Sequence, residues 1–139
     1  MRTAIFSAHL DQLEAIRVFA TQAARDAGMD ERGVSAVELA VDEACSNIIE
    51  HAYQGIEPGD IECTCDAQAD SLRIMIRDHG KPFDPNALQE PDLQASLEDR
   101  PLGGLGVFLM RNLMDSVRFE PLGQAGNLVT MVRRLRSDP

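Results

Sequence analysis

Residues 31–53 read ERGVSAVELAVDEACSNIIEHAY, and the spacing of their apolar residues predicts one long amphipathic helix. A single apolar stripe runs along it, formed by Val34, Val37, Val41, Ala44 and Ile48. Glu43 and Asn47 lie one turn apart on a different face, which they share with two small residues, Ala36 and Ala40. This polar face is either solvated surface or a place where another molecule docks against the helix, and the spacing leaves both open.

Shorter elements flank this helix and define the fold class. An apolar strand opens the chain, followed by a helix over residues 11–28 in which Asp11 and Glu14 are placed to form a capping box. Four more strands are predicted within residues 61–66, 72–77, 117–120 and 128–135, with a short helix after Gly106. This order predicts an α+β fold, a two-layer α/β sandwich in which helices cover one face of a mixed, mostly antiparallel sheet. At 139 residues, we expect residues 1–139 to form a single domain.

The composition excludes several classes of function. The 13 basic and 23 acidic residues give a formal net charge of -10, which opposes direct binding to a nucleic-acid backbone or an anionic membrane. Lys81 is the only lysine and Pro82 follows it, so a Walker-type phosphate loop is absent. No apolar run approaches the length of about 18 residues that spans a membrane, and the first residues hold no long apolar segment, so we expect a cytoplasmic protein.

Three cysteines, Cys45, Cys63 and Cys65, are an odd number, which is typical of a reducing compartment rather than of a disulfide framework. Cys63 and Cys65 have the spacing of half a metal site, but no second pair and no nearby histidine completes it. We therefore expect these cysteines to be buried thiols.

A second group of polar residues follows the strand that ends near residue 77. Asp78 is followed two residues later by Gly80, which is the pattern of a common turn. A carboxylate there can also accept a hydrogen bond from the exocyclic amine of a buried base, and it would favour adenine over guanine, whose carbonyl occupies that position. Such a charge-assisted bond contributes about 1.5–3 kcal/mol.

A third group consists of glycines in front of the short helix. Gly103, Gly104 and Gly106 would let backbone N–H groups approach a phosphate at the positive end of a helix, although the same glycines suit an ordinary helix start. The preceding residues 84–102 are rich in Pro, Asp, Glu and Gln. A loop of that length is either a functional lid or a tolerated surface insertion.

Taken in order, the three groups resemble the motifs of the GHKL ATPase superfamily, and within it the small anti-sigma-factor serine kinases of the RsbW and SpoIIAB type. The residues that carry the resemblance are Glu38, Asp42, Glu43, Asn47, His51, Ala52 and Tyr53, then Asp78, Gly80, Pro82, Phe83, Asp84 and Pro85, then Gly103, Gly104, Leu105, Gly106, Leu109, Leu113, Met114 and Asp115. The match spans essentially the whole chain and implies the Bergerat ATP-binding fold.

The resemblance implies a role for each matching polar residue. Glu43 would be the general base that takes the proton from an attacking hydroxyl. Asn47 would coordinate Mg²⁺ at the phosphates, as an oxygen ligand suited to a hard cation. Asp78 would bind the adenine amine, and Gly80 would allow the base to approach closely. The implied cofactors are ATP and Mg²⁺.

The resemblance also assigns the glycines and the loop before them. Gly104 and Gly106 would donate backbone amides to the phosphates, and residues 84–102 would form the ATP lid. One departure concerns the last strand, where many relatives have a Gly-Thr pair and this chain has Gly126 followed by Asn127. Asn127 is therefore placed as a contact on the adenine side.

The implied function is that of a protein-serine kinase that is also an anti-sigma factor. Such a protein would sequester a sigma factor in one state and, with Mg-ATP, phosphorylate a serine of a small STAS-type anti-sigma antagonist in another. Relatives commonly act as homodimers, and the resemblance extends that expectation to this chain.

Two alternatives remain open. A non-catalytic, nucleotide-gated module that binds ATP and a regulatory partner would use the same motifs, apart from Glu43. An ordinary α+β domain would show the three motifs by chance, and ATP would not stabilise it.

Overall fold

The computed structural model describes residues 1–82 and 104–136, so the expected lid at residues 84–102 lies outside the described residues. The helices are α1 (Leu13–Asp26), α2 (Glu31–Asn47) and α3 (Gly104–Leu113), and a π-helical turn (Ile48–Ala52) continues α2. The strands are β1 (Arg2–Ser7), β2 (Asp60–Ala67), β3 (Ser71–Asp78), β4 (Ser116–Pro121) and β5 (Asn127–Arg134). Their order along the chain is the one that the sequence predicts.

The five strands form one sheet in the order β1-β2-β3-β5-β4. Each neighbouring pair is antiparallel, so the sheet that was predicted to be mixed contains no parallel pair among the described strands. The register sets Asp78, the last residue of β3, opposite Asn127, the first residue of β5. Two of the predicted site residues are thereby neighbours at one end of two adjacent interior strands.

Burial confirms the two-layer arrangement. Ile74 and Ile76 of β3 are inaccessible to solvent, whereas the residues that alternate with them, Met75 and Arg77, are only partly buried on the other face. The predicted apolar stripe of α2 is buried along its whole length (Val34, Val37, Val41, Ala44 and Ile48). Each buried valine or isoleucine side chain in this stripe stabilises the fold by about 1.5–3 kcal/mol. Within the described residues, none of the helices has the length and apolar character that crossing a membrane requires.

The two long helices begin in different ways. The carboxylate of Asp30 caps α2 by accepting a hydrogen bond from the N–H of Gly33 at 2.7 Å. The capping box predicted for Asp11 and Glu14 is wrong, because α1 begins only at Leu13, after a 3₁₀ turn over Leu10–Gln12. The N–H of Leu13 donates to the carbonyl of Leu10 in that turn, so a backbone bond replaces a side-chain cap.

The expectation of buried thiols is confirmed. Cys45, Cys63 and Cys65 are free and at most 2% exposed. Burial raises the pKa of the Cys45 thiol to about 12, so this side chain stays protonated and behaves as a small apolar group. In residues 1–82 and 104–136, no cluster of three or more metal-ligating side chains is present.

Candidate functional site

Glu43 and Asn47 lie on the last two turns of α2, and both side chains are partly exposed. Their neighbour Asp42 points to α1 instead, where its carboxylate pairs with Arg17 at 2.7 Å. The same face of α2 is closed at Ala36 and Ala40, which are 6% and 0% exposed. This face of α2 is therefore buried in its N-terminal part. Only its C-terminal part, with Glu43 and Asn47, presents polar groups.

The first turn of α3 lies directly against these two polar groups. A Cβ atom at position 106 would lie 2.7 Å from Oε2 of Glu43 and 3.6 Å from Nδ2 of Asn47, so only glycine leaves the carboxylate its present position. Gly104 begins the helix, and N–H groups in a first turn have no acceptor within the helix. The structure thus places the predicted base and the predicted metal ligand next to Gly106, one of the predicted phosphate-binding glycines.

Asp78 ends β3 and is 2% exposed. Its Oδ1 accepts two hydrogen bonds, from the N–H of Gly80 at 2.8 Å and from Nδ2 of Asn127 at 2.9 Å. Oδ2 accepts no hydrogen bond from the described part of the chain. One oxygen of this buried carboxylate is therefore held by the protein, and the other keeps its capacity to accept a proton donor from a ligand.

Gly80 packs against the end of the π-helical turn. A Cβ atom at position 80 would lie 2.8 Å from Cβ of Ala52 and even closer to the Ala52 carbonyl group. The carbonyl of Ala52 also accepts a hydrogen bond from the N–H of Lys81 at 2.7 Å. Contact with Ala52 is thus sufficient to require glycine here, and close approach of a base to Gly80 stays a prediction.

A cleft of about 440 Å³, open to solvent, connects these groups. Asn47 borders both this cleft and the contact with Gly106, so the two parts of the site are continuous. The cleft is lined by Ala44, Asn47, Ile48, Ala52, Asp78, Phe119, Glu120, Asn127, Leu128 and Val129.

Burial raises the pKa of both carboxylates of the site, and their other neighbours act in opposite directions. Burial raises the pKa of Glu43, and the negative charges of Asp42 and Glu50 raise it further. Burial also raises the pKa of Asp78, but the hydrogen bonds from Asn127 and Gly80 act against that shift. Glu43 is consequently more basic than a free glutamate, which is the direction that a proton acceptor requires.

The donor set of the site suits a magnesium ion that is shared with a ligand. Asn47, the last residue of α2, supplies an amide oxygen. Mg²⁺ usually takes one or two protein oxygens and completes its shell with water and phosphate oxygens, rather than occupying a cage made only of side chains. The residues present fit such an ion at the Asn47 position.

Tyr53 is the residue of the site that sequence reasoning left without a role. It is 5% exposed, and its hydroxyl donates to the carbonyl of Asp60 at 2.8 Å and accepts the N–H of His79 at 2.9 Å. An aromatic residue with a polar tip, placed where the helical pattern ends, was the available signal. Its partners lie in other elements, so the spacing could not identify them.

Comparisons with known proteins identify the family of this chain. The profile of the histidine kinase-like ATPase domain family matches residues 6–133. A serine-protein kinase RsbW of Halalkalibacterium halodurans is 33% identical over 106 residues, which are 73% of this chain and 63% of that protein. A second RsbW, from Bacillus cereus, is 30% identical over 127 residues, or 88% of this chain and 78% of the relative.

Solved structures show the same fold. A structure of RsbU and RsbW domains from Mycobacterium tuberculosis superposes with a TM-score of 0.68 at 16% identity, covering 97% of this chain and 32% of that one. A histidine kinase domain from Erythrobacter litoralis gives a TM-score of 0.57 at 15% identity, covering 90% and 60%. The chain therefore belongs to the histidine kinase-like ATPase domain family of the GHKL superfamily, and within it to the RsbW type.

Proposed function

We propose that this protein binds Mg-ATP in the cleft and transfers the γ-phosphoryl group to a serine of a partner protein. The observation that carries the proposal is the contact of Gly106 with Glu43 beside Asn47. It joins a candidate proton acceptor, a candidate metal ligand and the N–H groups of a helix start within one site. The relatives named serine-protein kinase support the same activity.

In this proposal each residue of the site has a separate role. Asp78 binds the adenine amine through Oδ2, and the backbone N–H groups of Gly104 and Gly106 bind the phosphates. Asn47 holds the magnesium ion, which when bound neutralises phosphate charge. Glu43 accepts the proton of the serine hydroxyl as its oxygen bonds to the γ-phosphorus; the bond to the β–γ bridging oxygen breaks, and ADP leaves with that electron pair.

The proposed partners follow the RsbW type. A STAS-type anti-sigma antagonist would supply the acceptor serine, and a sigma factor would be sequestered when the antagonist is phosphorylated. The net charge of -10 favours control of transcription through such protein contacts over direct contact with nucleic acid. The setting we propose for these contacts is the cytoplasm.

Transfer of the γ-phosphate from labelled ATP to a candidate antagonist tests the proposal, with phosphoserine identified by mass spectrometry. We expect Glu43→Gln to keep ATP binding and to slow transfer by about 10²–10⁴-fold, the usual contribution of a general base. Glu38→Gln, an exposed change on the same helix, should leave transfer unaffected. ATP binding without any phosphoserine in the wild type would favour the non-catalytic, nucleotide-gated module instead.

We further propose that the chain forms a homodimer through the face of the sheet that faces away from the helices. On this face Glu62 and Asp66 of β2 lie opposite Arg77 and Arg73 of β3. A two-fold axis parallel to the strands and between β2 and β3 would set the carboxylates of one copy over the guanidinium groups of the other. Ile5, 64% exposed, adds apolar area to the same face.

Light scattering on size-exclusion fractions tests this assembly. Arg77→Glu should convert the dimer to a monomer, because it opposes two like charges in the interface. Arg25→Glu, an exposed change on α1, is the matched control and should leave the dimer intact. A monomeric wild type at high micromolar concentration would contradict the proposal.

A further inference from the structure

Asn127 is bound to the protein in a way that conflicts with donation of a hydrogen bond from its amide group to the base. Both hydrogens of its Nδ2 are donated within the chain, one to Oδ1 of Asp78 at 2.9 Å and one to the carbonyl of Lys81 at 2.7 Å. The residue is 8% exposed. Its amide therefore has no hydrogen left for a base and instead links the end of β3 to the segment that follows it.

Two features of the backbone fix the positions of Asp78 and Asn127. Asp78 and Asn127 are opposite each other in the antiparallel register of β3 and β5. Gly126 precedes Asn127 with φ +97°, and a Cβ atom there would meet the backbone of Asp78 and lie 2.7 Å from Cα of His79. The close contact at Gly126 thus sets the distance over which the Asn127 side chain reaches the carboxylate.

The geometry of the carboxylate gives the pair a chemical consequence. Gly80 and Asn127 both donate to Oδ1, which fixes the plane of the carboxylate and stabilises its ionised form. Oδ2 is the oxygen that accepts nothing from the described residues, and Asp78 lines the cleft. An ionised oxygen in a buried site accepts an amine hydrogen and repels a carbonyl oxygen.

We propose that Asn127 is the positioning residue that sets base selectivity, by holding Asp78 so that Oδ2 alone faces the 6-position of a purine. The inference rests on the proposed nucleotide site. It assigns to Asn127 a role through Asp78 instead of the adenine-side contact expected from the sequence. A 6-amino purine is accepted in this arrangement, and a 6-oxo purine is rejected.

The test compares three Mg²⁺ nucleotides by calorimetry: ATP, inosine triphosphate and purine riboside triphosphate, which has only hydrogen at position 6. For the wild type we expect ATP to bind about 10–100-fold more tightly than inosine triphosphate, the range that one charge-assisted bond gives. In Asn127→Leu the preference should fall at least about tenfold, because the carboxylate loses one of its two fixed donors. Affinity for purine riboside triphosphate should change by less than about threefold, since that base makes no bond to Oδ2.

Asn127→Asp is the second variant, because it keeps the shape of the side chain if leucine prevents folding. It removes both amide hydrogens and should reduce the preference for ATP in the same way. Thr130→Val, on the same strand but the opposite face, is the matched control and should keep the wild-type preference. Thermal unfolding of every variant checks that the fold is retained.

Two outcomes would overturn the inference. If the three nucleotides lose affinity in parallel in both variants, Asn127 does not act through the 6-position of the base. If the preference for ATP over inosine triphosphate is unchanged in both variants, Asn127 does not position Asp78 for base selection. Failure of the proposed nucleotide site is a different result, because the wild type would then bind none of the three nucleotides.

Discussion

The hydroxyl of Tyr53 accepts a hydrogen bond from the backbone N–H of His79 at 2.9 Å, and it donates one to the carbonyl of Asp60 at 2.8 Å. One side chain at the end of the π-helical turn is thereby bonded to the start of β2 and to the residue that follows β3. Since His79 is next to Asp78, this hydroxyl also fixes the backbone that carries the buried carboxylate.

Tyr53→Phe keeps the buried ring and removes both hydrogen bonds. We expect the free energy of unfolding to fall by about 1–3 kcal/mol, because two hydrogen bonds that contribute about 0.5–1.5 kcal/mol each are lost. Affinity for ATP should fall as well, since Asp78 loses its fixed position. Urea denaturation and calorimetry measure the two effects, with Thr130→Val as the control for loss of a hydroxyl. Unchanged unfolding and unchanged affinity would contradict the role of this hydroxyl.

The contact between Gly106 and Glu43 predicts a non-additive pair of mutations. Alanine in place of glycine within a helix normally stabilises by roughly 0.5–1 kcal/mol. Gly106→Ala should lose that gain or destabilise, because its Cβ would lie 2.7 Å from Oε2 of Glu43. In a Glu43→Ala background the same change should recover the normal gain. A double-mutant cycle from urea denaturation measures the difference, and simple additivity would show that the two residues do not restrict each other.

Glu43 should also give phosphoryl transfer a characteristic pH dependence. A general base acts when it is deprotonated, so transfer should increase as pH rises through its pKa, which burial and the charges of Asp42 and Glu50 raise above the ordinary value of glutamate. Glu50→Gln removes one of those charges, lowers the pKa of Glu43 and should move the acidic limb to lower pH. Rates measured at saturating Mg-ATP test this, and Glu38→Gln should leave the limb in place. A shift to higher pH would exclude Glu43 as the titrating base.

Removal of magnesium should weaken ATP binding strongly. Residues 84–100 carry five acidic side chains against Arg100 alone (Asp84, Glu90, Asp92, Glu98 and Asp99), and this charge would repel free ATP. We expect chelation by EDTA to reduce the affinity by at least about tenfold, which corresponds to about 1.4 kcal/mol. Calorimetry with and without Mg²⁺ measures this, with Asn47→Ala as a variant in which the difference should shrink. Equal affinity with and without chelator would contradict the prediction.

The sequence predicted the parts of the site that depend on local periodicity. Glu43 and Asn47 are one helical turn apart, so their common face follows from the spacing of α2 alone. The hydrogen bond between Asp78 and Asn127 joins residues 49 positions apart, and it depends on which strands pair and in which register. No local pattern encodes that register, and the same holds for the contact of Gly80 with Ala52.

The capping box is a case in which the sequence has the expected local pattern but the structure does not use it. Asp11 and Glu14 have the right spacing, but the chain enters α1 through a 3₁₀ turn whose backbone bond satisfies the first N–H group. A turn of this kind leaves no trace in side-chain spacing. The π-helical turn after Asn47 is hidden for the same reason, because its apolar residues continue the stripe of α2.

The site depends more on the number of residues in the π-helical turn than on which apolar residues occupy it. Deleting one residue within Ile48–Ala52 would shift the residues beyond it relative to α2, while Glu43 and Asn47 would stay where they are. Ala52 would then leave Gly80 and Lys81, and Tyr53 would leave His79. Insertions and deletions here would uncouple base recognition from phosphate chemistry, whereas apolar substitutions of similar size would be tolerated, so natural variation in this turn should be confined to replacements.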